Sequence, residues 1–462
     1  MLFTCLLFVS YGQGITYADL SINNNSSFGT CNDSATIIIP KSIKSIKEYE
    51  FFNCKKLESV IFSDESYLTN IGDNAFSFCR NLESITIPKS VYLIGDYTFT
   101  KCEKLKSVIF LDESSVTNIG DNVFSFCSNL ESIIIPKSVK SIGDYTFHNC
   151  EKLKSVIFLD ESSVTNIGNN AFSFCKNLES IIIPCLVKFI ENYTFHNCEK
   201  LKFVTFSNEY FVKNIGNNAF SFCYNLEFIE IPKTVYLIGD YAFHTCKKLK
   251  YVIFTNEYSV TNIGIGAFSF CYSLEFIEIP KTLTTIENNM FIKCKKLCSI
   301  IIPNYVKSIK DYAFFGSGLH FINFSNESSV KAIGIKVFSY CLSLESFSLP
   351  SSIEYIKEYT FYSCLELKSF IIPKNSSINS IGINAFVVCS KLQSLTFPKD
   401  INYIENFAFK QCTKLQKFYY FGTREPKIIG NPFSGCENLS EIYVTNLYLN
   451  DSFCGIKVKK IN

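Results

Sequence analysis

The stretch IGDNAFSFCRNLESITIPKSV, Ile71–Val91, decides the fold because it returns with small changes along almost the whole chain. Within it, Ile85 and Ile87 alternate with Ser84 and Thr86. That period of two sends the isoleucines to one face of a short strand and the small polar residues to the other. Pro88 follows and ends the strand, having no N–H to give to a ladder. Ile71, Ala75, Phe76 and Leu82 supply further inward residues. One such unit cannot bury its apolar face alone, so the copies must stack.

The isoleucine that opens each unit gives the period. It recurs at Ile46, Ile71, Ile94, Ile119, Ile142, Ile167, Ile190, Ile215, Ile238, Ile263, Ile286, Ile309, Ile333, Ile356, Ile381, Ile404 and Ile428. A worn copy precedes these, marked by Phe28, Cys31 and Pro40. Short units ending IPKSV alternate with longer ones carrying a loop such as FLDESSVTN, Phe110–Asn118, so the duplicated block is a pair of coils. A repeat of this length with a Leu-x-x-Ile-x-Ile core specifies a repeat solenoid of the leucine-rich-repeat type. The expected coil is mainly β, with one short parallel strand on one face and turns, short 3-10 helix or a second strand on the other. About 17 coils are expected to run continuously over 46–444, between an N-terminal capping coil at 19–45 and a C-terminal cap or tail at 445–462.

Composition narrows the function classes. Among 462 residues, 44 Lys and Arg oppose 42 Asp and Glu, so no global charge calls for nucleic acid or an anionic membrane. Hydrophobic residues make up 47%, enough for a long core. Residues 1–18 read as a signal peptide, with an apolar run at Leu2–Val9 and small residues Thr16 and Ala18 before the cleavage point, although no Lys or Arg precedes the run. The competing reading makes this segment part of the first coil. No other segment has the ~20 apolar residues of a spanning helix. Asn-x-Ser/Thr acceptors at Asn24, Asn25, Asn32, Asn192, Asn323, Asn326, Asn375, Asn438 and Asn450 fit export but are common by chance in so Asn- and Ser-rich a chain.

The pattern Ile-Gly-x-x-Ala/Thr-Phe-x-x-Cys-x-x-Leu-x-x-Ile-x-Ile-Pro, over about Phe28–Val444, resembles the BspA-like leucine-rich-repeat family. Such proteins occur in oral and gut bacteria and in protozoan parasites, among them trichomonads. The resemblance implies a non-enzymatic surface or secreted protein that binds host matrix, host cells or microbial surfaces, with no catalytic residues, cofactor or metal. An intracellular interaction scaffold on the same fold is the alternative, placing the chain in the cytoplasm rather than outside the cell. Phosphate-cradling loops and nucleophile elbows are absent from the sequence, and its carboxylates recur periodically instead of forming one constellation.

Four columns carry the candidate side chains. The repeat cysteine (Cys79, Cys102, Cys127, Cys150, Cys175, Cys198, Cys223, Cys246 and Cys271 through the regular copies, with Cys31, Cys54 and later ones beyond) lies three residues after the inward Phe and three before the inward Leu. That spacing reads as a ladder of buried free thiols packed as small hydrophobes. Disulfides between rungs and a metal site are the competing readings; parallel side chains and the lack of Cys-x-x-Cys in the repeat weigh against both. Cys185, Cys298 and Cys454 fall outside the ladder and are expected to be reactive or paired. The residue after each repeat Leu runs Glu83, Lys106, Glu131, Lys154, Glu179, Lys202, Glu227, Lys250, Glu275, alternating in sign, which reads as self-pairing across rungs rather than a docking track.

One place further on, a serine column turns aromatic at Phe203, Phe228, Tyr251 and Phe276, and again at Phe321. Alternation points these rings outward. Exposed, they form an apolar binding patch rimmed by Glu230, Ile253 and Glu278; stacked, they merely support one another. His148, His196 and His244 stand 48 residues apart and read as copies of a surface position, too far apart to share a metal.

Overall fold

The computed structural model of the chain describes residues 15–16, 35–207, 211–256, 259–325 and 327–461. Nearly all of the 1–18 leader, Cys31 and the acceptors Asn24, Asn25, Asn32 and Asn326 lie outside the described residues. The architecture is a parallel β-solenoid, and no described residue is helical. Each coil has two strands, a four-residue one such as Ser84–Ile87 and a two-residue one such as Leu93–Ile94. The second strand, not 3-10 helix, therefore completes the coil. Contacts divide the chain into two compact units, Met1–Phe211 and Val212–Asn462.

In the first unit the long strands form one unbroken parallel sheet, from Thr36–Ile39 to Phe203–Phe206, with Ile15–Thr16 paired on Ile37–Ile38 at its edge. Register is exact from copy to copy: Ser84 faces Ser107, and Ser132 faces Ser155. The short strands from Ser45–Ile46 to Asn166–Ile167 make a second parallel sheet.

In the second unit the long strands belong to shorter sheets. Phe228–Ile231, Tyr251–Phe254 and Phe276–Ile277 form one, and Ser299–Ile302 with Phe321–Phe324 another. A terminal sheet holds Ser394–Phe397, Lys417–Tyr420, Ile442–Thr445 and Ile456–Ile461. On its outer side the antiparallel pair Ser452–Phe453 and the lysines of Ile456–Ile461 blunt an edge that would otherwise template further pairing.

A third hydrogen-bonded column, made of turns, was not anticipated from the sequence. Asn74, Phe76 and Phe78 donate their amides forward to the carbonyls of Asp96, Thr98 and Thr100 at 2.8–2.9 Å. The intervening amides of Ala75, Ser77 and Cys79 close turns within their own coil. To alternate in this way the backbone adopts left-handed φ at Asn74 (55°) and Phe78 (63°), and does so at the matching positions of almost every coil. Such φ values are uncommon for non-glycine residues. Here a bond to the next coil compensates each one.

The core repeats with the coil. Phe76, Phe99, Phe124, Phe147, Phe172 and Phe195 stack in one file at 5.2–5.6 Å between centroids in the first unit. Phe220, Phe243, Phe268, Phe291 and Phe314 continue the pattern in the second at 5.4–5.8 Å. All are fully buried.

One glycine is fixed by its neighbour rather than by its own φ. A Cβ on Gly95 would overlap the Asp73 carboxylate, whose Oδ1 accepts the Asp96 amide at 2.8 Å. Gly120, Gly143 and Gly168 stand in the same relation to Asp96, Asp121 and Asp144. The Ile-Gly-Asp triplet is thus a relay in which each aspartate reaches into the space left by the next glycine.

Candidate functional site

The cysteine column is internal. The thiols from Cys79 to Cys271 are buried with no solvent exposure, and every described cysteine from Cys79 onward is a free thiol. The ladder differs from its expectation at one end, because Cys54 is disulfide-bonded.

Most of these thiols have a directed partner. Cys79 Sγ donates to the carbonyl of Phe51 at 3.1 Å, Cys102 to Phe76 at 3.3 Å, and Cys127 to Phe99 at 3.2 Å. The carbonyl of Phe76 thus accepts both the Cys79 amide and the Cys102 thiol. An alanine would fill much of the space but leave that second lone pair empty. Burial pushes the Cys79 and Cys271 thiols up to about 12 and raises those of Cys102, Cys127, Cys150, Cys175 and Cys246 as well, so these thiols are chemically quiet. Outside it, Cys298 is exposed while Cys185 and Cys454 are half-buried, and all three are unpaired.

The charge column lies on the surface, and its first four members resolve into two pairs. Lys106 reaches Glu83 at 3.1 Å, and Lys154 reaches Glu131 at 3.1 Å. Glu275 instead accepts the Tyr251 hydroxyl at 3.1 Å and lies 3.8 Å from Lys296. The histidines are not plain surface copies. His148 is wedged edge-on among Phe126, Tyr145 and Phe174, with Nδ1 2.7 Å from Ser173 Oγ. His244 has the same surroundings in Phe222, Tyr241 and Phe270. Partial burial holds both imidazoles below their usual range.

The aromatic column lies on the strand face. In the second unit Phe228 is opposite Tyr251, and Tyr251 opposite Phe276. Phe276 is 54% exposed, Tyr251 and Phe321 are also exposed, and Phe228 is half-buried. Phe203, in the first unit, is exposed as well. Phe228, Tyr251 and Phe276 do not stack on one another among the described residues, in contrast to the internal phenylalanine file. Glu230 stands opposite Ile253 and both are exposed. Phe276 and Glu278 line a groove of about 280 Å³ with Ser299, Ile301 and Pro303. No described group of His, Cys, Asp and Glu is arranged to hold a metal ion.

Alternation along the strand has a further result that letter patterns hide. The third residue of each long strand also points out, so Ile61, Ile109, Ile134, Ile157 and Ile182 are exposed in the first unit. In a run such as Ile133–Ile135 every letter is apolar, and only the register against Ser132 reveals that Ile134 alone faces solvent.

The family model for the BspA type leucine rich repeat region matches at 21–150, 117–226, 213–341 and 331–454. The chain belongs to that family. Among solved structures, this BspA-type chain is similar to a leucine-rich repeat protein from Bacteroides ovatus, at 27% identity and TM-score 0.57, covering 86% of this chain and 88% of that one. It is also similar to a leucine rich cell surface protein of Faecalibacterium prausnitzii at 24% identity and TM-score 0.36, covering 82% and 83%. A third is the pneumococcal vaccine antigen PcpA, at 23% identity and TM-score 0.35, covering 86% and 79%. No curated protein matches the BspA-type chain. Its described residues contain no helix long and apolar enough to cross a membrane.

Proposed function

We propose that the protein is a non-enzymatic recognition protein of the cell exterior, secreted or surface-held, that binds a protein partner through the strand face of its second unit. The observation that carries this reading is the file Phe228–Tyr251–Phe276, with rings in register, Tyr251 and Phe276 exposed and Phe228 half-buried, beside a groove. Exposed aromatic anchors ringed by polar groups are the usual centre of a protein interface. The partner class is a protein of host matrix, a host cell or another microbe, and the near-balance of 44 Lys and Arg with 42 Asp and Glu gives no global pull on nucleic acid.

The test replaces Phe228, Tyr251 and Phe276 together with alanine in the full chain. Binding of intact and variant protein to immobilised matrix proteins and to whole cells is compared. All three rings lie on the surface side of their strands, so the variant is expected to fold and to lose most of its binding. Unchanged binding by the folded variant removes the proposal.

Two observations favour the alternative of an intracellular scaffold. Ile15–Thr16, inside the leader, pairs with the first coil. The many free thiols also suit a reducing compartment. The Cys54 disulfide supports the exterior, and burial shields the free thiols of the ladder there. Intact mass of protein taken from its own cells separates the two readings, since export predicts loss of residues 1–18 and sugar on exposed acceptors such as Asn375 and Asn450.

A further inference from the structure

The first unit carries a second surface feature, built from different residues. Two grooves lie end to end on its strand face. One, of about 660 Å³, is lined by Ile61, Asp64, Glu65, Pro88, Lys89 and Leu111 among others. The other, of about 500 Å³, is lined by Ile109, Asp112, Glu113, Pro136, Lys137 and Leu159. Each residue of the second is the copy, 48 positions on, of its counterpart in the first. Leu111 lines both, so the grooves abut along the stacking direction and form a track with a two-coil period.

Three properties of this track limit what fits it. Its floor is apolar and open: Ile109 is 50% exposed, and Ile61 and Leu111 nearly as much. Its rim is acidic, with two carboxylates to one lysine per groove, and Lys137 is already held at 3.4 Å by Glu161 of the next long loop. The rim is also strained in a regular way, since Glu65, Glu113 and Glu161 at the loop tips all have left-handed φ of 53–59°. Glycine or asparagine would hold that geometry at lower cost. A glutamate retained there at every second coil is a carboxylate placed at a conformational expense.

The period selects the shape of the occupant. Two coils advance about 9.6 Å on the strand spacing. A polyproline II chain turns once in three residues, about 9.3 Å, and misses each successive groove by only about 0.3 Å. An α-helix returns to the same face after seven residues, about 10.5 Å, and misses by about 0.9 Å. A β-strand repeats its face every ~6.7 Å and falls out of step at once. Polyproline II ligands also lack internal hydrogen bonds and dock by placing alternate apolar edges into shallow apolar grooves.

We propose that the first unit binds a proline-rich polyproline II segment carrying a basic residue in each triplet, one triplet per groove, along the track through Leu111. Prolines fill the apolar floor, and the basic side chains meet Asp64, Glu65, Asp112 and Glu113. The site shares no residue with the aromatic file of the second unit, so the two proposals stand or fall separately.

Fluorescence anisotropy with the full chain and fluorescein-labelled (Pro-Pro-Arg)6 tests it, against (Gly-Gly-Arg)6 and (Pro-Pro-Glu)6. The expected result is saturable binding of the first probe, about tenfold or more tighter than of the flexible probe with equal charge. Leu111→Ser, at an exposed position shared by both grooves, is expected to weaken binding about tenfold. Asp112→Asn with Glu113→Gln should weaken it several-fold and flatten its salt dependence. An unchanged urea midpoint confirms that each variant is folded. Equal affinity for (Gly-Gly-Arg)6 reduces the effect to charge alone and overturns the proposal. So does equal affinity for (Pro-Pro-Glu)6, full binding by folded Leu111→Ser, or no saturable binding of (Pro-Pro-Arg)6.

Discussion

The two units build the same interior and different exteriors. Both stack a phenylalanine file at nearly constant spacing. The first keeps one unbroken sheet whose solvent face is mainly serine and isoleucine up to Phe203, with two grooves set two coils apart. The second divides its long strands among shorter sheets and replaces serine with Phe228, Tyr251 and Phe276. Around Ile286–Ile333 its coils also lose the alternation of long and short units that the first obeys. Inward positions are held by packing against two neighbours and tolerate little change, whereas outward ones are free to diverge. Recognition is therefore to be sought where copies differ in the second unit, and where the loop geometry itself repeats in the first.

The largest expected effect tests whether the interiors are equivalent. Phe124→Ala and Phe268→Ala each remove a fully buried ring between two stacked neighbours. Each should cost about 3–5 kcal/mol in urea unfolding. Similar costs confirm the common core; a loss in Phe268→Ala of less than half that in Phe124→Ala would show that the shorter sheets leave the second unit's core slacker.

Next comes the glycine–aspartate relay. Gly95→Ala forces a Cβ against the Asp73 carboxylate and should destabilise by about 1–3 kcal/mol. Adding Asp73→Ala removes the nearest obstacle, leaving the Asp73 amide nitrogen and the Gly72 carbonyl carbon at 2.7 and 2.9 Å, and should recover part of that loss in a double-mutant cycle. Gly239→Ala meets the amide of Asn217 rather than a carboxylate and should behave alike, since the obstacle is an oxygen in the same place. Additivity in either cycle would mean that the glycine is required for a different reason.

Much of this architecture could be read from letters alone, and what could not has a physical reason. The inward set Ile85, Ile87, Phe76 and Cys79 follows from spacing, because spacing determines side-chain direction. The forward hydrogen bonds of Asn74 and Phe78 are only half legible, since asparagine favours left-handed φ but nothing in a phenylalanine side chain announces it. The thiol donation to Phe51 does not follow from spacing, because it depends on where the previous coil turns its carbonyl. For the surface, parity exposed the aromatic file because it interrupts serine, but Ile134 stayed hidden among apolar neighbours. The grooves need the long loops folded back over the strand, and loop paths are not periodic in sequence.

A middle-sized effect concerns the thiols. With folded pKa values raised from 9.0 to about 12 at Cys79 and Cys271, the folded state favours the protonated thiol. The resulting stability is fully present below pH 9 and is lost as pH rises from 9 toward 12. Among the described cysteines, exposed Cys298 should be the one that reacts rapidly when native protein is treated with an aromatic disulfide at pH 8, with the ladder reacting only on unfolding. Cys298→Ser should remove that equivalent from the rapid phase. Rapid reaction by several ladder thiols in either unit would show that its coils open readily.

The smallest effect separates the units at the charge column. Glu131 has one partner, Lys154 at 3.1 Å, and both side chains are more than half exposed. Glu131→Gln should therefore cost only about 0.2–1 kcal/mol, a difference that vanishes in molar salt. Glu275 is engaged differently, accepting the Tyr251 hydroxyl with Lys296 farther off. That hydrogen bond and the charge behind it raise the Tyr251 pKa. Glu275→Gln should thus lower the pH at which Tyr251 ionises, followed by NMR of ring-labelled tyrosine, and leave the urea midpoint almost unmoved. The same column position then pairs with a lysine of the next coil in the first unit, while in the second it accepts the hydroxyl of an exposed ring. If Tyr251 titrates unchanged, its hydroxyl is free in solution, and the ring is a looser anchor than the geometry assigns.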